Sequence, residues 1–248
     1  NAFSCSIHNS VLSAAALARV PLVVCHKFRP VSVTLPVQRA TDTLLTRAQI
    51  TAPQKLIEAL WRKTVNAKCA NQLALAEAIA SRHYLLPSLR AAAGTSTIHK
   101  EGVCARHYFD IFSGALALRH FTRNRDGSGL NSLFNYAYAV LLIRTLQVLL
   151  TTGLDPLYGI GHFVRERATP LAFDLMEPFR VFFDMAVFEW CIAEKQKGAD
   201  LAVDAPCKRH VHGSMTRLVP YCGATVQAAD AFAAVLKSFR AAIQEQTP

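Results

Sequence analysis

Asp174 and Glu177 stand three residues apart within the stretch Gly159 to Arg180, and on a helix that spacing sends both side chains out of one face. Two carboxylates held that close repel each other and raise one another's pKa unless a cation sits between them. A hard divalent ion, magnesium or manganese, resolves the conflict, and manganese better tolerates an imidazole among its ligands. His162 follows Gly159 and Gly161, close enough in sequence to face the same site, while Arg165, Arg167 and Arg180 bring positive charge beside it. Such a set supports metal-assisted phosphodiester chemistry next to a phosphate-binding surface. The same residues also read as two solvated acids at a helix N-terminus, which favours negative charge there, and a structural histidine. Spacing alone leaves both readings open. Glu101, about sixty residues upstream and next to Lys100, reads from composition as a solvent-facing charge, with nothing in the pattern to bring it to Glu177.

The elements that must position these residues change character along the chain. Up to about residue 45, β-branched residues with proline punctuation predict short strands at Val20–Cys25 and Val31–Leu35, after an alanine-rich helix from Ser10 to Ala18. From about Ala52 the apolar residues recur at helical spacing, with Pro53 suited to a helix start and a stripe through Leu56, Leu60, Val65, Leu73 and Ile79. Further helices are predicted at Thr97–Arg119, Leu130–Thr152, Leu171–Lys195 and Ala228–Ile243. The polar loop Thr122–Gly129 separates two of them and carries Arg123, a further candidate for phosphate contact. Between Gly198 and Cys222 the helical signal fades, and the basic run Lys208 to His212 reads as a solvated loop, with His210 and His212 short of a third metal ligand. Tyr136, Tyr138, Asn131 and Asn135 read as polar groups on one long helix packed under the site, and Trp61 and Trp190 as core or dimer contacts.

Hydrophobic residues make up 52% of the 248-residue chain and charged ones 18%, which excludes disorder as the main state. Lysine and arginine number 27 against 17 acids, a formal charge of +10 that favours a polyanionic partner, nucleic acid ahead of an anionic membrane surface. Seven scattered cysteines without a CxxC pair read as reduced thiols, neither a disulfide frame nor a zinc site. The apolar run Tyr136–Leu154 is interrupted by Arg144 and Gln147, so it reads as a buried core helix, not a membrane span. Asn1 opens without an initiator methionine in what reads as a running fold, which implies a missing N-terminal piece.

Several ordered motifs sharpen the reading. GLDP around Asp155, the following GIGH, LAFDLMEPFR and the upstream LNSLFNYAYAVL from Leu130 closely resemble the CRISPR-associated integrase family, metal-dependent nucleases that insert new spacers into CRISPR arrays. Glu101-Gly102 with Ala105-Arg106 and Tyr108 resembles that family's other signature. PLVVCHKFRPVSVTLP is similar to the last strands of its N-terminal β-domain, and LWRKTVNAKCANQ from Leu60 to the first helix of its α-helical domain, nearest to forms from single-effector systems. The departures are Phe173, where those relatives usually carry a second acid, and Val181, where a proline often follows the arginine.

The resemblance implies an α+β fold, with a small, incomplete N-terminal β-domain over residues 1–48 and a larger all-α catalytic domain over 49–248. It implies Glu101, His162 and Glu177 as ligands of Mg2+ or Mn2+, with Asp174 as a supporting acid of the catalytic set. The reaction implied is transesterification, in which a 3′-hydroxyl of incoming DNA attacks a phosphodiester at the repeat boundary without a covalent protein nucleophile. Arg165, Arg167, Arg180 and Arg123 are the candidate DNA contacts. The implied partners are double-stranded DNA, as prespacer and CRISPR repeat, a second copy in a homodimer and a dimer of dimers on DNA, and a small ferredoxin-like companion subunit in some members. The setting is cytoplasmic, with no membrane. A transposon-encoded integrase of the same fold and a catalytically silent DNA-end-binding scaffold are the other readings. Retention of all four site residues argues against the scaffold.

Overall fold

The structure is a computed structural model that describes residues 7–18, 20–26, 29–34, 42–97, 99–118, 121–124, 126–162, 169–196, 201–221 and 224–245. The N-terminal part holds α1 (Asn9–Leu17), whose first turn is capped by the His8 ring accepting from the Ser10 N–H, and an antiparallel hairpin of β1 (Leu22–His26) and β2 (Arg29–Thr34). The hairpin pairs Leu22 with Thr34 at its open end and shifts register between Val24 and Cys25, so the two predicted strands are present as one hairpin with an irregularity in its middle.

Helices then dominate: α2 (Thr43–Thr51), α3 (Gln54–Ile79), α4 (Leu86–Gly94), α5 (Lys100–Ala115) and α6 (Leu130–Thr151). Asp42 caps α2 by accepting from the Leu45 N–H, and Leu45 and Ala48 bury one side of it, so α2 straddles residue 48 and belongs to the helical core on both sides of that position. α3 packs against α4 and α5 and also meets the turn that carries Glu177.

The central helix is α6. Leu133, Phe134, Ala137, Leu141, Leu146 and Leu149 on it are all essentially inaccessible, and their positions cover more than one face, as expected for a helix buried in a core. By length and composition it could cross a membrane, but 67% of its apolar window is buried inside the fold. It begins after Gly129 (φ 57°) and ends before Gly153 (φ 82°), both in the left-handed region that favours glycine.

Three expectations are corrected past residue 169. The helix predicted over Leu171–Lys195 is broken into α7 (Pro170–Met176), a 3-10 turn (Glu177–Phe179) and α8 (Arg180–Gln196), because Pro178 has no N–H to continue the ladder. The second part is also not all-α: Leu218–Tyr221 (β3) and Ala224–Gln227 (β4) form an antiparallel hairpin ahead of α10 (Ala228–Gln244). The basic run is helical instead of a solvated loop. It lies in α9 (Ala205–His212), whose first turn Asp204 caps by accepting from the Cys207 N–H at 2.8 Å, with Pro206 inside that turn. His212 pairs with the Tyr136 hydroxyl at 3.0 Å and His210 with the Ala186 carbonyl at 3.0 Å, so both imidazoles serve packing of α9.

The described cysteines are free thiols, four of them buried. Burial, with a hydrogen bond to Cys104, pushes the Cys69 thiol up to about 12, which leaves it unreactive.

Candidate functional site

The floor of the site is α3. Lys68, Asn71 and Gln72 fall at i, i+3 and i+4 and share one face of it. The Lys68 ammonium lies 2.5 Å from Glu101 Oε1, in the first turn of α5, and 2.6 Å from Glu177 Oε2, at the start of the 3-10 turn. Asn71 donates to the Pro178 carbonyl at 2.7 Å, which pins that turn to α3 and so fixes where Glu177 points.

Glu177 is 3% exposed and carries two cations, Lys68 on Oε2 and Arg180 Nη2 at 2.7 Å from Oε1. Burial alone pushes its carboxyl up, but the charges of Arg180 and Lys68 outweigh burial and hold it below the usual glutamate value. Lys68 meets the buried Oε2 as a close ion pair whose hydrogen-bond geometry is poor.

Asp174, on α7 and fully buried, is satisfied in another way. It accepts the backbone N–H groups of Ile160 (2.6 Å), Gly161 (3.0 Å) and His162 (3.0 Å), and His162 Nδ1 lies 2.6 Å from Oδ1. A carboxylate only accepts, so Nδ1 carries the proton and a neutral ring keeps its Nε2 lone pair for a metal. The two glycines of GIGH have steric reasons. A Cβ on Gly159 would lie 2.5 Å from the His162 carbonyl oxygen and 2.9 Å from Asp174 Oδ2, and one on Gly161 would lie 2.4 Å from the Trp61 ring. Trp61 in turn meets the His162 ring edge-on, with centroids 5.8 Å apart.

Glu101 and Glu177 are therefore brought together from distant helices, and His162 and Asp174 are brought together beside them. Both acids of the DxxE pair are buried, which overturns the solvated-acid reading. Among the described residues no three His, Cys, Asp or Glu side chains converge into a group that could hold a metal, since Lys68 stands between the two glutamates and the His162 Nδ1 faces Asp174. The donor set fits a hard divalent ion nonetheless: two carboxylates already sharing one cation, and an imidazole whose Nδ1 is taken by Asp174.

The candidate DNA contacts separate. Arg180 is committed to Glu177 and lies 4.7 Å from the Tyr138 ring centroid. Arg123 donates to Asn131 Oδ1 and Asn135 Oδ1 and lies 5.5 Å from the other end of the same arrangement, the Tyr138 ring. Arg165 and Arg167 lie outside the described residues.

Sequence reasoning missed Lys68, Asn71 and a buried acid, Asp184 on α8, while Trp61, expected as a core or dimer contact, packs against the core beside Gly161. Tyr138 and Tyr108 donate their hydroxyls to Asp184 at 2.6 and 2.8 Å, yet burial still pushes its carboxyl up to about 6. Two signals were present: a lysine and two amides at i, i+3, i+4 in LWRKTVNAKCANQ, and an acid inside the apolar run VFFDMAVF.

The family model described as "CRISPR associated protein Cas1" matches residues 2–205. A CRISPR-associated endonuclease Cas1 of Leptospira interrogans is 34% identical over 95 residues, 36% of this chain and 37% of that protein. One from Thermus thermophilus is 35% identical over 135 residues, 49% of this chain and 42% of that protein. The matched region thus spans well under two thirds of either relative. Among solved structures, the Cas1 protein of Thermotoga maritima superposes with a TM-score of 0.74 at 15% identity, covering 96% of this chain and 83% of that one. A casposase bound to its integration product gives 0.66 at 18% identity, covering 97% and 80%. Fold and site together define a mostly helical α+β protein in which buried Asp174 and Glu177 meet the part-exposed His162 and Glu101. The chain belongs to the CRISPR-associated Cas1 family.

Proposed function

We propose that this protein is a metal-dependent DNA integrase and endonuclease that joins 3′-hydroxyl DNA ends to a phosphodiester at CRISPR repeat boundaries. The observation that supports it is the meeting of Glu101 and Glu177 on a single cation position beside a histidine whose tautomer Asp174 fixes. Glu101, Glu177 and His162 Nε2 would hold the metal. Bound there, magnesium or manganese would polarise the scissile phosphate and offset charge on the leaving oxygen.

The chain's own groups do the rest. Asp174 orients His162 and keeps the proton on Nδ1. Asn71 holds the turn of Glu177 in place, and Arg180 neutralises the carboxylate oxygen that faces away from Lys68. Arg165 and Arg167 follow His162 directly in sequence and are proposed as phosphate contacts, in keeping with the formal charge of +10. Residues 49–248 make the catalytic domain in this reading, with the N-terminal hairpin belonging to a β-domain. The protein works as a homodimer in the cytoplasm. A solved complex titled Cas6-RT-Cas1--Cas2, superposing at 0.67 with 97% of this chain covered, makes a Cas2-type companion the partner to test.

The test is incubation of the protein with short duplexes bearing 3′-hydroxyl ends and a supercoiled plasmid carrying a repeat, with Mn2+ or Mg2+. Covalent joining is expected, and Glu177→Ala or His162→Ala is expected to abolish it; joining that survives both substitutions overturns the site. The likeness to a casposase supports a second reading, integration of a transposon end. Joining that ignores the repeat and requires a terminal inverted repeat on the incoming DNA would decide for it.

A further inference from the structure

Three elements meet at one ammonium group. Glu101 comes from α5, Glu177 from the 3-10 turn after α7, and the cation between them from α3. Two carboxylates drawn together in a buried place need positive charge between them, and Lys68 supplies it. Its contact with Glu177 Oε2 is a close ion pair of poor hydrogen-bond geometry, held by charge more than by direction.

The two cations on Glu177 differ in how freely they can leave. Arg180 presents a planar guanidinium to Oε1 and lies against the Tyr138 ring, which fixes it. Lys68 is a point charge on a four-carbon stem and can swing aside by side-chain rotation alone. The way out is on the Glu101 side: the Glu101 side chain is 35% exposed, against 10% for Lys68 and 3% for Glu177.

We propose that Lys68 is a positioning residue that bridges Glu101 and Glu177 in the metal-free protein and gives up that place when a divalent cation enters, so that ammonium and metal compete for the same two carboxylates. This rests on the reading of Glu101, His162 and Glu177 as metal ligands. The lysine keeps the ligands at binding distance and spares the buried Glu177 an uncompensated negative neighbour in Glu101, but each metal ion must displace it, which lowers affinity. Removing Lys68 therefore has opposite effects on the two states: the metal-free protein loses stability and the metal binds more tightly.

The experiment is Mn2+ binding, followed by titration calorimetry and by the manganese electron-spin signal, to wild type, Lys68→Met, Lys68→Arg and Glu177→Gln, with thermal melting of each without and with Mn2+. Lys68→Met is expected to bind Mn2+ at least about tenfold more tightly than wild type. Its metal-free melting temperature is expected to fall and to be recovered by Mn2+ more fully than in wild type. Lys68→Arg keeps the charge and is expected to bind no more tightly than wild type. Should Lys68→Met fail to fold without metal, Lys68→Gln carries the same comparison with a polar filler. Equal Mn2+ affinity in wild type and the neutral Lys68 variant, at a site that Glu177→Gln removes, would overturn the exchange and leave the metal reading standing. Binding that Glu177→Gln leaves untouched, or no binding to any of the proteins, would overturn the metal reading and the exchange with it.

Discussion

Asp174 and Glu177 lie one helical turn apart, and both are buried, but the chain neutralises them by different means. Around Asp174 the partners are three backbone N–H groups and an imidazole, all fixed by the geometry of the loop at Ile160–His162. Around Glu177 they are the side chains of Lys68 and Arg180, one on each oxygen, and both hold it as ion pairs. Backbone donors cannot leave without unfolding the loop, whereas a lysine can. The first corner is thus built to hold an orientation and the second to hold a charge that can be replaced. That division matches what a metal site asks of an orienting acid and of a ligand acid.

The contrast can be broken with isosteric amides. In Asp174→Asn the new NH2 must face backbone N–H donors whichever way it turns, because both oxygens of Asp174 accept from the main chain. A loss of about 3 kcal/mol is expected, from orphaned buried donors. In Glu177→Gln the amide oxygen still takes Arg180 and the NH2 displaces Lys68, which keeps Glu101, so the expected loss is about 1 kcal/mol. Urea denaturation of the two variants at neutral pH measures the difference. Equal losses would mean that the two corners are not built differently.

How much of this was readable beforehand differs by element. The long helices are legible in their apolar spacing, and α6 reads as core despite its length because Arg144 and Gln147 interrupt it. The hairpin at Leu218–Gln227 is not legible, because four-residue strands, one of them holding Pro220, leave no periodicity to detect. The break at Glu177–Phe179 was overridden by the helical character on both sides of Pro178. At the site, the acids and the histidine were visible by type, but Lys68 was hidden because a lysine on a helix is ordinarily a solvated charge. Only tertiary packing shows that it is 8% exposed. The role of Gly161 was equally hidden, since a glycine's neighbour in space, here Trp61, is about a hundred residues away in sequence.

Gly161 gives the next sharpening. Gly161→Ala puts a methyl 2.4 Å from the Trp61 ring, so ring or loop must shift, and about 2 kcal/mol of stability is expected to go. The shift acts on the orienting corner, because Gly161 N–H is one of the donors to Asp174. Trp61→Ala removes the obstacle, so the double variant is expected to lose less than the sum of the single losses, by about 1 kcal/mol in a double-mutant cycle. Additive losses would show that Trp61 does not set the position of the loop.

Asp184 extends the comparison to a third buried acid, met by neither backbone donors nor a direct ion pair. Two tyrosine hydroxyls bind it, and Arg180 and Arg123 act on it from a distance, but burial wins and its carboxyl sits at about 6 in the fold. The folded protein therefore binds this proton more tightly than the unfolded chain does, whose aspartate titrates near its ordinary value of about 3.9. Between pH ~4 and ~6 the native state holds more protons, so this residue's contribution to stability falls as pH rises through that window and reaches its full penalty above pH ~6. The sign is opposite for Glu177, whose carboxyl is held below its usual value and whose contribution is lost only on acidification. Asp184→Asn removes the ionisation while keeping an oxygen for one tyrosine and an NH2 to donate to the other hydroxyl. It is expected to match wild type near pH 4 and to gain on it by about 2 kcal/mol at pH 7, read as the difference in denaturation free energy at the two values. A difference that stays flat across the window would mean that Asp184 is ionised throughout and that its hydroxyl partners satisfy it as fully as the backbone satisfies Asp174.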